Sequence, residues 1–198
     1  MIAAAEDDPV ADVTYFYRPS VLGATWTFTL KGDVIFWDTG RKSGRIPLRS
    51  IRRVRMSFRP LAMQTIRYRT EVWSEEAPKI EFVSTSWKSM VEQERFDRAY
   101  RNFLIALHSR LARAGGAVRF EQGVGAAIYW CGLAVFVIAS LAIAALAVRA
   151  VAERAWGGAA VIGVFLALFL WQAGVYFRRN RPGLYRADAL PADLLPKQ

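Results

Sequence analysis

Two stretches in the C-terminal half constrain this chain more than any other feature. Residues 124–148 carry no charged side chain over 25 positions, and residues 157–177 carry none over 21. A helix crosses a bilayer core with about 20 consecutive apolar residues. In lipid the backbone must satisfy its own hydrogen bonds, which a helix does alone and an isolated strand does not. Amphipathic helices of soluble proteins keep a polar stripe, and neither run has one. Both therefore read as membrane spans, joined by only eight residues, 149–156, and so antiparallel. That link places residues 1–123 and 178–198 on one side. Arg113 and Arg119 precede the first span and Arg178, Arg179, Arg181 and Arg186 follow the second, against Arg149 and Arg154 in the link. The positive-inside rule makes the shared side cytoplasmic, with both termini there. Tyr129, Trp130, Trp156, Trp171 and Tyr176 lie near span ends, where interfacial aromatics belong. Arg119, Trp130, Trp156, Trp171, Arg178, Arg179 and Arg181 are the expected interface anchors. Residues 1–5 run into Glu6, Asp7 and Asp8, so no signal peptide is expected.

The rest of the composition removes whole function classes. With one cysteine, Cys131, and one histidine, His108, the chain can build neither an internal disulfide nor a zinc cluster of Cys and His. His108 sits at the edge of an apolar helical stripe and reads as a packed or interfacial side chain, not a catalytic base. Inside the spans Ser140 and Gln172 are the only clearly polar residues. An ion pathway normally needs ionisable groups in the membrane, so transport is not expected. Gly163 and Ala167 give the second span a weak small-residue spacing.

Residues before the spans change period twice. Thr25-Trp26-Thr27-Phe28-Thr29-Leu30 alternates apolar with threonine, the pattern of a half-buried strand. Lys31-Gly32-Asp33 turns into Val34-Ile35-Phe36-Trp37, and a second turn over 38–44 leads to Ile46 and Leu48. Val54, Met56 and Phe58 alternate with arginines, as do Ile66, Tyr68 and Val72, before a short strand over 79–84. The period then becomes helical, with Phe96, Tyr100, Phe103, Leu104, Leu107 and Leu111 on one stripe. Ser89 with Glu92 reads as a capping box and Gly115-Gly116 as the stop, giving a helix of roughly 22 residues. About six strands and one amphipathic helix result, with Asp12 to Tyr17 as the one source of a seventh strand.

This order of elements resembles a pleckstrin-homology-like (PH-like) domain, in particular the membrane-tethered PH-like domains of bacteria. The resemblance covers about residues 20–115 and rests on 25–37, the arginine-bearing hairpin 52–73, the strand near 80–83 and the helix 91–113. It implies an α+β fold: an antiparallel β-barrel or meander capped by one C-terminal amphipathic helix, followed by the transmembrane hairpin. It also implies a binding or scaffolding module without enzyme activity or cofactor, located in a bacterial inner membrane. The expected organisation is a segment 1–19, mobile in its first dozen residues, the PH-like domain 20–115, a linker 116–123, the hairpin 124–177 and a basic tail 178–198. Pro182, Pro191 and Pro196 break up that tail, with Leu190, Leu194 and Leu195 between them. It is either disordered or laid against a partner or the protein's own sheet, with the leucines as anchors.

Net charge is +10, and its densest source lies in the sheet region. Between Asp38 and Glu71 there is no acid, but there are ten cations: Arg41, Lys42, Arg45, Arg49, Arg52, Arg53, Arg55, Arg59, Arg67 and Arg69. Alternation places Arg53, Arg55 and Arg59 on one face with Arg67 and Arg69 of the next strand. Guanidinium forks suit phosphate and carboxylate, and cations near a membrane gain about 1 kcal/mol each from anionic lipid. The expected partners are a membrane protein complex or a second copy, with anionic phospholipid as the alternative. A merely solvated outer face is the plain reading of the same residues. Nucleic acid is not expected, since no helix-turn-helix or RNP motif accompanies the charge.

Overall fold

A computed structural model describes residues 11–59, 66–88 and 93–196. The expected mobility of the first residues and the Ser89–Glu92 capping box fall largely or wholly outside the described residues. The chain divides into two compact units, Met1–Glu121 with Leu184–Gln198, and Gln122–Gly183.

The first unit is α+β with antiparallel sheets. A four-stranded meander runs β1 (Val13–Tyr17), β2 (Trp26–Lys31), β3 (Val34–Asp38), β4 (Ser43–Pro47) in that order. The threonine alternation in β2 sets its faces: Phe28 and Leu30 are buried while Thr27 and Thr29 point away. A 3-10 turn, Leu48–Ser50, carries the chain to β5 (Ile51–Phe58), which pairs with β6 (Tyr68–Ser74), itself paired with β7 (Ile80–Val83). A bulge between Ile51 and Arg53 breaks the period of two, so that Ile51 and Val54 are both buried. A small ladder joins β8 (Thr85–Trp87) to β9 (Gln93–Arg95). Residues expected to begin the helix are thus spent on β9, and α1 (Asp97–Arg113) has 17 residues, starting where the apolar stripe starts and later than the expected bounds of 91–113. Gly115, with φ of 67°, ends it as expected. Tyr15, Phe28, Phe82, Tyr100 and Phe103 meet in one core, with Phe28 and Phe82 edge to face at 4.6 Å.

The sheets do not close into a barrel, which corrects the expected closure. Strand β1 and the edge strand β7 form no ladder and are linked through side chains. The Tyr15 hydroxyl donates to the Val83 carbonyl at 2.5 Å and the Tyr17 hydroxyl to the Glu81 carbonyl at 2.8 Å. Side chains thereby satisfy edge acceptors that a barrel would give to main-chain N–H groups. Burial pushes both phenols above their ordinary pKa, so they remain donors.

The expected linker is also structured. Residues Arg119–Gln122 form β10, and Gly183–Leu184 form β11, which extend the second sheet in the order β11-β10-β5-β6-β7. The tail after β11 folds with the first unit: Leu194 and Leu195 are buried, and Arg101 donates to the Pro196 carbonyl at 3.0 Å. Of the two readings of the tail, the segment laid on the protein's own fold is the one observed.

The second unit contains two helices long and apolar enough to cross a membrane, α2 (Ala126–Ala152) and α3 (Trp156–Arg179). They pack through rings, Phe136 against Phe169 at 5.1 Å and against Phe177 at 5.3 Å. Where the chain enters α2, Gly123 has φ of 77° and a Cβ there would collide with the Asn180 and Arg181 carbonyls. Only glycine tolerates both conditions.

Tyr15→Phe should leave the buried Val83 carbonyl unpaired, at a cost of about 1–3 kcal/mol, and Tyr17→Phe, at the part-buried Glu81 carbonyl, should cost less. The expected result is a lower thermal midpoint for the full chain in detergent, with helix content unchanged by far-UV circular dichroism.

Candidate functional site

Strand pairing redistributes the ten cations. Register sets Arg53 opposite Trp73, Arg55 opposite Glu71 and Ser57 opposite Arg69, so Arg53, Arg55 and Arg69 share one face. It is not a bare basic face. Arg55 pairs with Glu121, 66 residues away, its Nε 2.9 Å from Oε2. Arg69 bridges Glu71 at 2.8 Å and Glu81 at 2.6 Å, and Lys79 holds the same Glu71 oxygen at 2.8 Å. Arg52 lies 2.7 Å from Glu75. Arg53 stacks 3.9 Å from the centroid of Trp73, with Arg55 and Lys79 farther around that ring. Glu71 is only 7% exposed, so this network belongs to the packed sheet. Reversing Arg55 or Arg69 would strand carboxylates that now have partners.

Arg59 is exposed, and Arg67 is half-buried; burial lowers its guanidinium pKa, with Glu81 and Tyr17 acting in the opposite direction. The remaining four cations, Arg41, Lys42, Arg45 and Arg49, are all exposed and, among the described residues, in no ion pair. They flank one edge strand, β4, and its turns. That turn is rigid: Asp38 Oδ1 accepts from the Gly40 N–H at 2.6 Å, and the Thr39 hydroxyl donates to the Lys42 carbonyl at 2.9 Å. Arg45 stands opposite Phe36, which is 43% exposed. Arg45 and Arg49 also line a shallow cleft of about 650 Å³ with Pro47, Asp33 and Glu76. The two carboxylates make it a mixed-sign surface, suited to a partner face more than to a lone phosphate.

His108 has no solvent exposure. Its Nδ1 lies 2.8 Å from the Leu104 carbonyl, which can only accept, so Nδ1 carries the proton. Nε2 is then the acceptor for the Tyr185 hydroxyl at 2.8 Å. Phe120 of β10 stacks on both rings. Burial lowers the His108 pKa to about 4, keeping the imidazole neutral and the tail pinned to α1. Tyr185 carries this contact; its only sequence signal was an aromatic in a segment broken by prolines. Cys131 is exposed on α2, and no group of three or more His, Cys, Asp or Glu side chains gathers among the described residues.

The expected interface anchors separate in the same way. Trp130, Trp156, Trp171 and Arg178 are exposed on their helices, Arg179 is half-exposed, and Arg181, beyond the end of α3, is exposed. Arg119 is exposed but pairs with Glu121 at 3.0 Å, joining the sheet network. No protein-family model, curated protein or solved structure matches this chain.

Protonating buried His108 disfavours the fold. As pH falls below 6.5 the unfolded chain takes the proton first, so stability drops between pH 6.5 and about 4. About 2 kcal/mol should be lost by pH 5, and His108→Leu should flatten that part of the profile. Equilibrium unfolding at pH 7, 6 and 5 measures it.

Proposed function

We propose that this chain is a membrane-anchored, non-enzymatic adaptor. Its PH-like globular unit sits at the cytoplasmic face of a bacterial inner membrane and docks onto a larger membrane protein complex. The observation that carries this reading is the sorting of cations by strand pairing. The sheet's own carboxylates neutralise Arg52, Arg55 and Arg69, which leaves Arg41, Lys42, Arg45 and Arg49 exposed along one edge beside Phe36. An apolar ring with guanidinium groups around it is the composition of a docking patch, arginine and aromatics being enriched at interfaces.

Two further features support the anchored arrangement. Two helices of spanning length and hydropathy lie between residues 122 and 183. The chain on either side of them belongs to a single folded unit, which must lie on one side of a bilayer. The excess of arginine around that unit argues for the cytoplasmic side. The PH-like reading is supported by the order of elements, a four-stranded meander, a crossing to a second antiparallel sheet, then an amphipathic helix.

Anionic phospholipid is the second reading, favoured by Arg41 and Lys42 at the tip of a rigid turn on a bilayer-tethered unit. Gentle detergent extraction separates the two. Reversing Arg41, Lys42, Arg45 and Arg49 to Glu should remove a stoichiometric companion protein while the thermal midpoint stays within a degree or two. Retention of the companion in that variant overturns the docking edge. Loss of bound phosphatidylglycerol, seen by native mass spectrometry with no companion present in the wild type, would instead establish the lipid reading.

A further inference from the structure

Helix α3 has two apolar faces, and the hairpin uses one. Ala159, Ile162, Leu166, Ala173 and Tyr176 are only partly exposed, at the 3- and 4-residue spacing of a helix seam against α2. A second stripe, Val161, Phe165, Leu168 and Gln172, recurs at spacings of 4, 3 and 4. Its apolar members are 61%, 69% and 51% exposed, and Gln172 is exposed too.

Gln172 is the unusual member. The other clearly polar side chain of the spans, Ser140, donates to the Phe136 carbonyl of its own helix at 2.8 Å. Among the described residues Gln172 has no hydrogen-bond partner. It lies six residues before Arg178, or roughly 9 Å along the axis at 1.5 Å per residue; with Arg178 at the interface, both Gln172 and its neighbour Trp171 lie within hydrocarbon, so Trp171 is then not the interface anchor that the sequence suggested. An amide there, with two donors and an acceptor, has nothing in lipid to satisfy it.

We propose that the Val161–Phe165–Leu168–Gln172 stripe is the interface with a second copy of this chain, paired through Gln172. This rests on the hairpin crossing a bilayer. A twofold axis along the membrane normal sets each residue opposite its own counterpart at equal depth. An amide is self-complementary in that position, because each Gln172 donates to the other and accepts from it, whereas a lone cation or carboxylate would repel itself. The apolar members at heptad-like spacing supply the packing on which such a hydrogen bond is superimposed. The dimer needs no residue of the basic edge.

The test uses the full chain in vesicles of phosphatidylcholine and phosphatidylglycerol, with Cys131→Ser as background. Leu168→Cys should form a disulfide-linked dimer under mild oxidation, while Leu170→Cys, on the opposite side of α3, should not. Adding Gln172→Leu to Leu168→Cys should weaken dimerisation by about three- to tenfold, and Gln172→Asn should retain most of it. Equal cross-linking at 168 and 170, a monomer at both, or no response to Gln172→Leu overturns the proposal. So does a cross-link from 168 in native membranes that leads only to a different protein. Alkaline carbonate extraction is run in parallel: a chain released by it fails the membrane reading itself, whereas an integral monomer fails only the dimer.

Discussion

The chain leaves one folded unit, makes a hairpin of some fifty apolar residues, and rejoins the same unit. The rest of the structure depends on that return. Before α2 the backbone is committed to β10, and after α3 the tail is held by the Tyr185–His108 hydrogen bond and by buried Leu194 and Leu195. A neutral, desolvated histidine suits this role because one ring nitrogen is spent on the Leu104 carbonyl and the other is free to accept. Within the helical unit, Gly123 admits the Asn180 backbone where the residues before α2 meet those after α3.

Electrostatics in the globular unit follow from strand register. Long-range pairing brings Glu121 to Arg55 and Glu81 to Arg69, and a cross-strand tryptophan takes Arg53. Partly buried ion pairs of this kind are costly to break from one side and modest as a net source of stability. Their larger consequence here is selective. They cancel most of the charge on one sheet face, whereas the cations around β4 are in no ion pair among the described residues and share their cleft with Asp33 and Glu76. Edge strands with Lys, Arg and Pro resist casual strand addition, so these residues protect β4.

The tyrosine corner between β1 and β7 shows how the unit holds together without barrel closure. Two phenols replace main-chain donors, and their rings also contribute to the aromatic core with Tyr100 and Phe103. Two residues of β1 therefore serve hydrogen bonding and packing together, which makes a strand of only five residues indispensable.

Local periodicity made several parts legible from residues alone. Charge-free runs of spanning length dictate helices because a backbone surrounded only by apolar side chains must satisfy its own donors and acceptors. Threonine alternation dictates the faces of β2, and the stripe from Tyr100 to Leu111 dictates the buried side of α1. The ten cations were equally legible as a cluster, but not their partners. Glu75, Glu81 and Glu121 lie outside that run, and only sheet register determines which arginine each one meets. For the same reason the start of α1, the strand in the supposed linker, the tail's return to His108 and the open barrel were decided by tertiary structure. Each depends on contacts between segments far apart in the chain, where pairing geometry outweighs local preference.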